Sequence, residues 1–167
     1  MELAVTVIGP DRPGIVAEVA EALARLGANL TDSTMTRLRG HFAMTLICTS
    51  ESSVAEVEAA LQGMSGLIVT VGDVGSDEPV VNEGGPYLLS LHGADRLGIV
   101  AAVTRAVAEQ DGNITDLSTR LIGPLYVLLA EVYLPSAKVE ELTKRLAELT
   151  DELGVDISLR PMEADLL

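Results

Sequence analysis

Short apolar runs and helix-period segments alternate along this chain in one order, and then do so again. Residues 3–8 (LAVTVI) are β-rich and stop at Gly9-Pro10, which predicts a strand entering a loop. From Ile15 the apolar positions Val16, Val19, Ala20, Leu23 and Leu26 follow a helical period that ends at Gly27, with Pro13 expected in the first helical turn. Residues 30–38 are Thr-rich and extended, Gly40 marks a turn, and residues 42–49 are apolar again, so the two runs predict a hairpin. Ser52-Ser53 followed by Glu56 reads as a capping box opening a helix over residues 54–61. The apolar run 67–71 predicts a closing strand.

The order is β-α-β-β-α-β, and the second half repeats it over residues 87–91, 99–109, 114–122, 125–134, 137–153 and 155–159. Gly9-Pro10-Asp11-Arg12-Pro13-Gly14-Ile15-Val16 returns 84 residues later as Gly93-Ala94-Asp95-Arg96-Leu97-Gly98-Ile99-Val100. A repeat of this length marks a tandem duplication. The predicted fold class is α+β: two ferredoxin-like βαββαβ modules, each an antiparallel sheet with its helices on one face. The expected domains are residues 1–74 and 87–162, with a Gly-, Pro- and acid-rich linker over 75–86 and a tail over 163–167. Free sheet edges need cover, so the modules are expected to pair as an internal pseudo-dimer.

Composition narrows the picture. Hydrophobic residues make up 48% of 167, yet there are one Phe, three Tyr and no Trp, so the cores must be built from Ala, Val, Leu and Ile. The net charge of −14 is shared: residues 1–83 carry 12 acidic and 4 basic side chains, and residues 84–167 carry 13 and 7. Such a surface repels phosphate backbones, and no basic cluster or aromatic platform offsets it, which argues against direct nucleic-acid binding. The N-terminal residues lack a basic stretch and no apolar run reaches membrane-spanning length. Membrane binding is therefore not expected, and a cytoplasmic location is. Cys48, the single cysteine, sits in an apolar run and reads as a small buried hydrophobe.

The repeated loop is where chemistry concentrates. Each copy precedes a helix start, whose unpaired N–H groups and partial positive charge suit a carboxylate. Asp11 and Asp95 can accept from an ammonium group. Asn29 and Asn113 each stand fifteen residues past the loop's second glycine, Gly14 or Gly98, and offer a paired donor and acceptor. Together these groups complement a free α-amino acid. The structural alternatives are plain: an Asp before a helix is commonly a cap, and an Asn after a helix stop a turn residue. The loop lacks the Lys-Ser/Thr of a nucleotide P-loop, since Ile15 and Ile99 follow the second glycine. His41 falls in the hairpin turn, whereas His92, three residues before Asp95, is placed to join the second pocket. Neither has partners at metal-ligand spacing. No nucleophile motif occurs, so no catalytic residue, metal or cofactor is expected and the chain does not read as an enzyme.

Asp-Arg-Pro-Gly-Ile-Val after a first strand, followed by Asn29-Leu30-Thr31-Asp32, resembles the ACT domain, a regulatory amino-acid-binding module. The first half is similar in particular to the glycine cleavage system transcriptional repressor group. The resemblance implies a small amino acid such as glycine or serine, held between paired modules by the first loop of one and strand residues of the other. By position it implies ligand contacts at Asp11, Gly14, Asn29, Asp95, Gly98 and Asn113. It further implies a protein partner, such as a transcriptional regulator or an enzyme, with a homodimer among the allowed assemblies. One departure stands out: the second loop is intact here, which favours a sensor with two pockets. The alternative reading is an interaction or assembly module that has lost its ligand.

Overall fold

A computed structural model describes residues 1–75 and 81–163. The chain divides into two units, 1–79 and 80–167. The first contains β1 (Glu2–Pro10), α1 (Ile15–Arg25), β2 (Asn29–Leu38), β3 (His41–Thr49), α2 (Val54–Leu61) and β4 (Ile68–Asp73). The second contains β5 (Gly85–Ala94), α3 (Ile99–Glu109), β6 (Asn113–Ile122), β7 (Leu125–Leu134), a 3₁₀ turn at Ser136–Lys138, α4 (Val139–Leu153) and β8 (Val155–Pro161). The predicted order holds in both. Strand β5 begins two residues before the expected module start, because Gly85 and Pro86 pair with Leu134 and Tyr133. Of the expected linker and tail, residues 76–80 and 164–167 lie outside the described residues.

The sheets have the orders β2-β3-β1-β4 and β6-β7-β5-β8, and their paired strands are antiparallel. Strand alternation decides which residues are buried. In β1, Leu3, Val5 and Val7 are fully buried and join Ile15, Val19 and Leu23 of α1 and Val57 and Leu61 of α2 in one core. The second core is built the same way from Leu89, Leu91, Ile99, Val103, Leu142 and Leu146, among others. Cys48 lies in the first core, fully buried, and burial pushes its thiol above the ordinary range. A bulge follows the first two pairs at the open end of each hairpin, between Leu30 and Asp32 and between Ile114 and Asp116.

Helix α2 carries the predicted capping box. The Glu56 N–H donates to Ser53 Oγ at 3.3 Å, and the Ser53 N–H donates back to Glu56 Oε2 at 2.8 Å. The Ser53 N–H foremost, and then the Ser53 hydroxyl, which donates to the same Oε2 at 2.8 Å, hold the Glu56 carboxyl below its ordinary range. Its contribution is present above the ordinary carboxylate range and is lost as pH falls through the depressed value. Ser53→Ala is expected to lower the stability of the first module by about 1 kcal/mol, read as a shift in the urea midpoint.

The β2–β3 hairpin turns on Arg39 and Gly40, with φ of 48° and 81°. Two-residue turns with both φ values positive favour Asn-Gly, and arginine pays a steric cost there. Arg39→Asn is therefore expected to stabilise the module by about 0.5–1 kcal/mol, seen as a raised thermal midpoint. An unchanged or lowered midpoint would contradict the cost assigned to Arg39.

Candidate functional site

Each candidate loop hangs from the end of the central strand of its sheet. In the first module the Asp11 N–H donates to Gly40 O at 2.9 Å, which ties the loop to the tip of the hairpin. Gly14, with φ 87°, is the N-cap of α1, and no side chain caps the helix. Gly98, with φ 88°, does the same for α3. A left-handed N-cap of this kind is open to glycine at little cost, and it leaves the first helical N–H groups without a side-chain acceptor. Asp11 and Asp95 are thus not helix caps. Pro13 lies before the N-cap and outside the helix, because the turn at 13–14 precedes the first helical residue.

The charged groups of the first loop have partners. Arg12 donates to both carboxylate oxygens of Glu18, at 2.7 and 2.8 Å. That hydrogen bonding holds the Glu18 carboxyl below its usual range and the guanidinium above its own. Arg37, on β2, donates to Asp11 Oδ2 at 3.4 Å. The second loop differs. The 84-residue offset puts Ala102 where Glu18 stands and Leu121 where Arg37 stands. Arg96 instead donates to the Glu152 carbonyl at 3.0 Å. Among the described residues no side-chain bond engages Asp95. Asp95, Arg96, Leu97, Gly98 and Tyr126 line an open cavity of about 540 Å³.

The asparagines lie elsewhere. Strand register sets Asn29 opposite Thr49, which pairs with Glu2, whereas Pro10, beside Asp11, pairs with His41 at the far end. Nine residues of strand separate the two levels, roughly 30 Å at the usual rise. Asn113 is likewise at the Tyr133 and Pro86 end, away from Asp95, and its side chain donates to Asn82. A single module therefore brings Asp and Gly of the loop together but not its own Asn. Equal sequence spacing in two copies concealed this, because β1 and β2 run the same way with α1 returning the chain between them.

His92 is also not where the sequence suggested. It alternates with the buried Leu91 and so faces away from the helices, where Nε2 lies 3.3 Å from Asp156 Oδ2. It does not line the cavity at Asp95. His41 opens β3 instead of sitting within the turn. Sequence reading missed Glu18, Arg37 and Tyr126 as neighbours of the loops. The repeat offset carried the signal, since it aligns Glu18 with Ala102, Arg37 with Leu121 and Phe42 with Tyr126.

Among the described residues no group of three or more His, Cys, Asp or Glu is arranged to hold a metal ion, and no helix is long and apolar enough to cross a membrane. The comparisons with known proteins bear on the family and the fold. A UPF0237 protein of Methanocaldococcus jannaschii is 36% identical over 72 residues, which is 42% of this chain and 80% of that protein. A crystal structure of an unknown protein from Galdieria sulphuraria is 30% identical, with a TM-score of 0.82, covering 96% of this chain and 98% of that one. A structure described as a candidate glycine cleavage system transcriptional repressor shares the fold, with a TM-score of 0.72 at 24% identity and 96% coverage of both chains. The sequence profile of the ACT domain matches residues 2–71 and again residues 86–160. With two βαββαβ modules each carrying the loop at its first helix start, the chain belongs to the ACT domain family.

Proposed function

We propose that this protein is a cytoplasmic, non-enzymatic sensor of a small amino acid, glycine or serine first, which modulates a protein partner such as a transcriptional regulator. The observation that carries the reading is the pair of uncapped helix starts, each beside an Asp. Helix-start N–H groups without a side-chain acceptor complement the carboxylate of a zwitterion, and the Asp complements its ammonium group. No module unites its loop with its own Asn. In this proposal Asp11, Gly14, Asp95 and Gly98 supply the loop contacts, and Asn29 and Asn113 the strand contacts.

Ligand size bounds the affinity. At a ceiling near −1.5 kcal/mol per heavy atom, the five heavy atoms of glycine give about −7.5 kcal/mol at most. Dissociation constants of roughly micromolar to millimolar follow, a range suited to gauging a metabolite. Calorimetry with the twenty amino acids on the intact chain tests the reading. Binding of a small amino acid that weakens at least tenfold in Asn29→Ala/Asn113→Ala supports both sensor and site. No binding below about 10 mM would refute the sensor, and unchanged binding in the double variant would refute the asparagines' role.

A further inference from the structure

The two loops share their motif but not their surroundings. In the first, both charged side chains of the loop are already engaged, Asp11 by Arg37 at 3.4 Å and Arg12 by both oxygens of Glu18; in the second only Arg96 is, by the Glu152 carbonyl at 3.0 Å. Arg37 reaches Asp11 from the helix-side face of edge strand β2, at the position that pairs with Phe42. In the second loop the equivalent strand position is Leu121, which has no charge to offer, and Glu18 is replaced by Ala102. Phe42 is 2% exposed, whereas its counterpart Tyr126 is only partly buried and lines the cavity beside Asp95. Asp95 is thus an exposed carboxylate above open space, and Asp11 a carboxylate with a guanidinium across it.

We propose that Arg37 masks the first loop and that the second loop, with Leu121 and Tyr126 in the matching places, is the site where the amino acid binds first. This rests on the amino-acid-sensing reading above. An incoming ammonium group must displace Arg37 from Asp11, and until it does so it meets a like charge. An exposed ion pair shifts such a competition by a few-fold, not by orders of magnitude. The consequence is two unequal sites on one chain: the second loop fills at low amino-acid concentration and the first only at higher concentration. A graded response over a wider range follows than two identical loops would give.

Arg37 is 69% exposed at its side chain and Leu121 is 41% exposed, so both can be exchanged with little disturbance of either core. Titration of the intact chain with glycine and with L-serine is expected to resolve two classes of site. Leu121→Arg is expected to weaken the tighter class by about fivefold, and Arg37→Leu to tighten the weaker class by a similar factor. Arg37→Lys should behave as the parent protein, which separates masking by charge from a change in packing. Circular dichroism verifies that each variant is folded. If binding occurs but neither exchange moves an affinity by more than twofold, the masking role is wrong while the sensor stands. If neither amino acid binds to any of the four proteins at 10 mM, the sensing reading for these ligands falls, and the assignment of the two loops falls with it.

Discussion

Gly9→Val and Gly93→Val are each expected to unfold the module that carries them, or to leave it with only a fraction of its stability. The first glycine of the repeated loop lies in the central strand, on the face that packs toward the helices, where the closing strand begins. A Cβ at Gly9 would lie 2.6 Å from Gly66 O and 2.7 Å from Leu67 Cδ2. At Gly93 it would lie 2.7 Å from Val155 Cγ1 and 3.1 Å from Val155 Cα. Backbone stands behind each contact, so the strand pair itself would have to move apart. Overpacking a dense core commonly costs 1–3 kcal/mol, and valine adds two methyl groups beyond the Cβ, so about 3 kcal/mol or more is expected. A module of some 80 residues has roughly 4–12 kcal/mol to lose. Urea melts that report each module separately test this, and a midpoint shift below that of Ser53→Ala would show that the strands yield easily. The glycines common to both loops thus have separate roles, Gly9 and Gly93 in packing the strands, Gly14 and Gly98 in starting the helices.

Much of the architecture was legible because local and global preferences agree. The bounds of α2, α3 and β7 match the periodicity and turn signals residue for residue, and the capping box at Ser53 and Glu56 forms as read. The duplication supplied each element twice, so an ambiguous run in one half could be settled by the other. What the chain did not reveal is where residues far apart in sequence meet. Asp11 and Asn29 keep one spacing in both modules, yet strand direction carries them to opposite ends of the sheet. Arg37 was hidden for the same reason, since it lies near the end of an edge strand and only register places it against the loop, whereas Glu18, in the first turn of α1, is a local partner six residues from Arg12. His92 shows the finer limit, because a one-residue step along a strand exchanges the faces, and its neighbour Leu91 is the buried one. Tyr126, at the position of Phe42, lines the cavity at Asp95, and no local pattern connects that position to the loop.

Phe42→Ala is expected to cost about 3–5 kcal/mol, a large share of what an 80-residue module holds. Phe42 is the single phenylalanine of the chain, and it is 2% exposed in a core otherwise made of small branched side chains, Met44 and Cys48. No neighbour is large enough to fill its volume, so the cavity would persist. It pairs with Gly9 in the register of β1 and β3 and with Arg37 across β2, directly beneath the first loop. Tyr126 holds the same place in the second module, paired with Gly93 and Leu121, but keeps part of its ring at the open cavity. Truncating a partly exposed ring removes less buried area and leaves a void that water can enter, so Tyr126→Ala should cost about half as much. The same substitution is therefore predicted to act on stability in one module and chiefly on the loop environment in the other. Urea midpoints of the two variants, measured alongside Tyr126→Phe, decide the matter. Tyr126→Phe should be close to neutral, since no hydrogen bond to the phenol stabilises the fold among the described residues. A loss from Tyr126→Ala equal to that from Phe42→Ala would mean that both rings are core residues and that the second loop has no open wall.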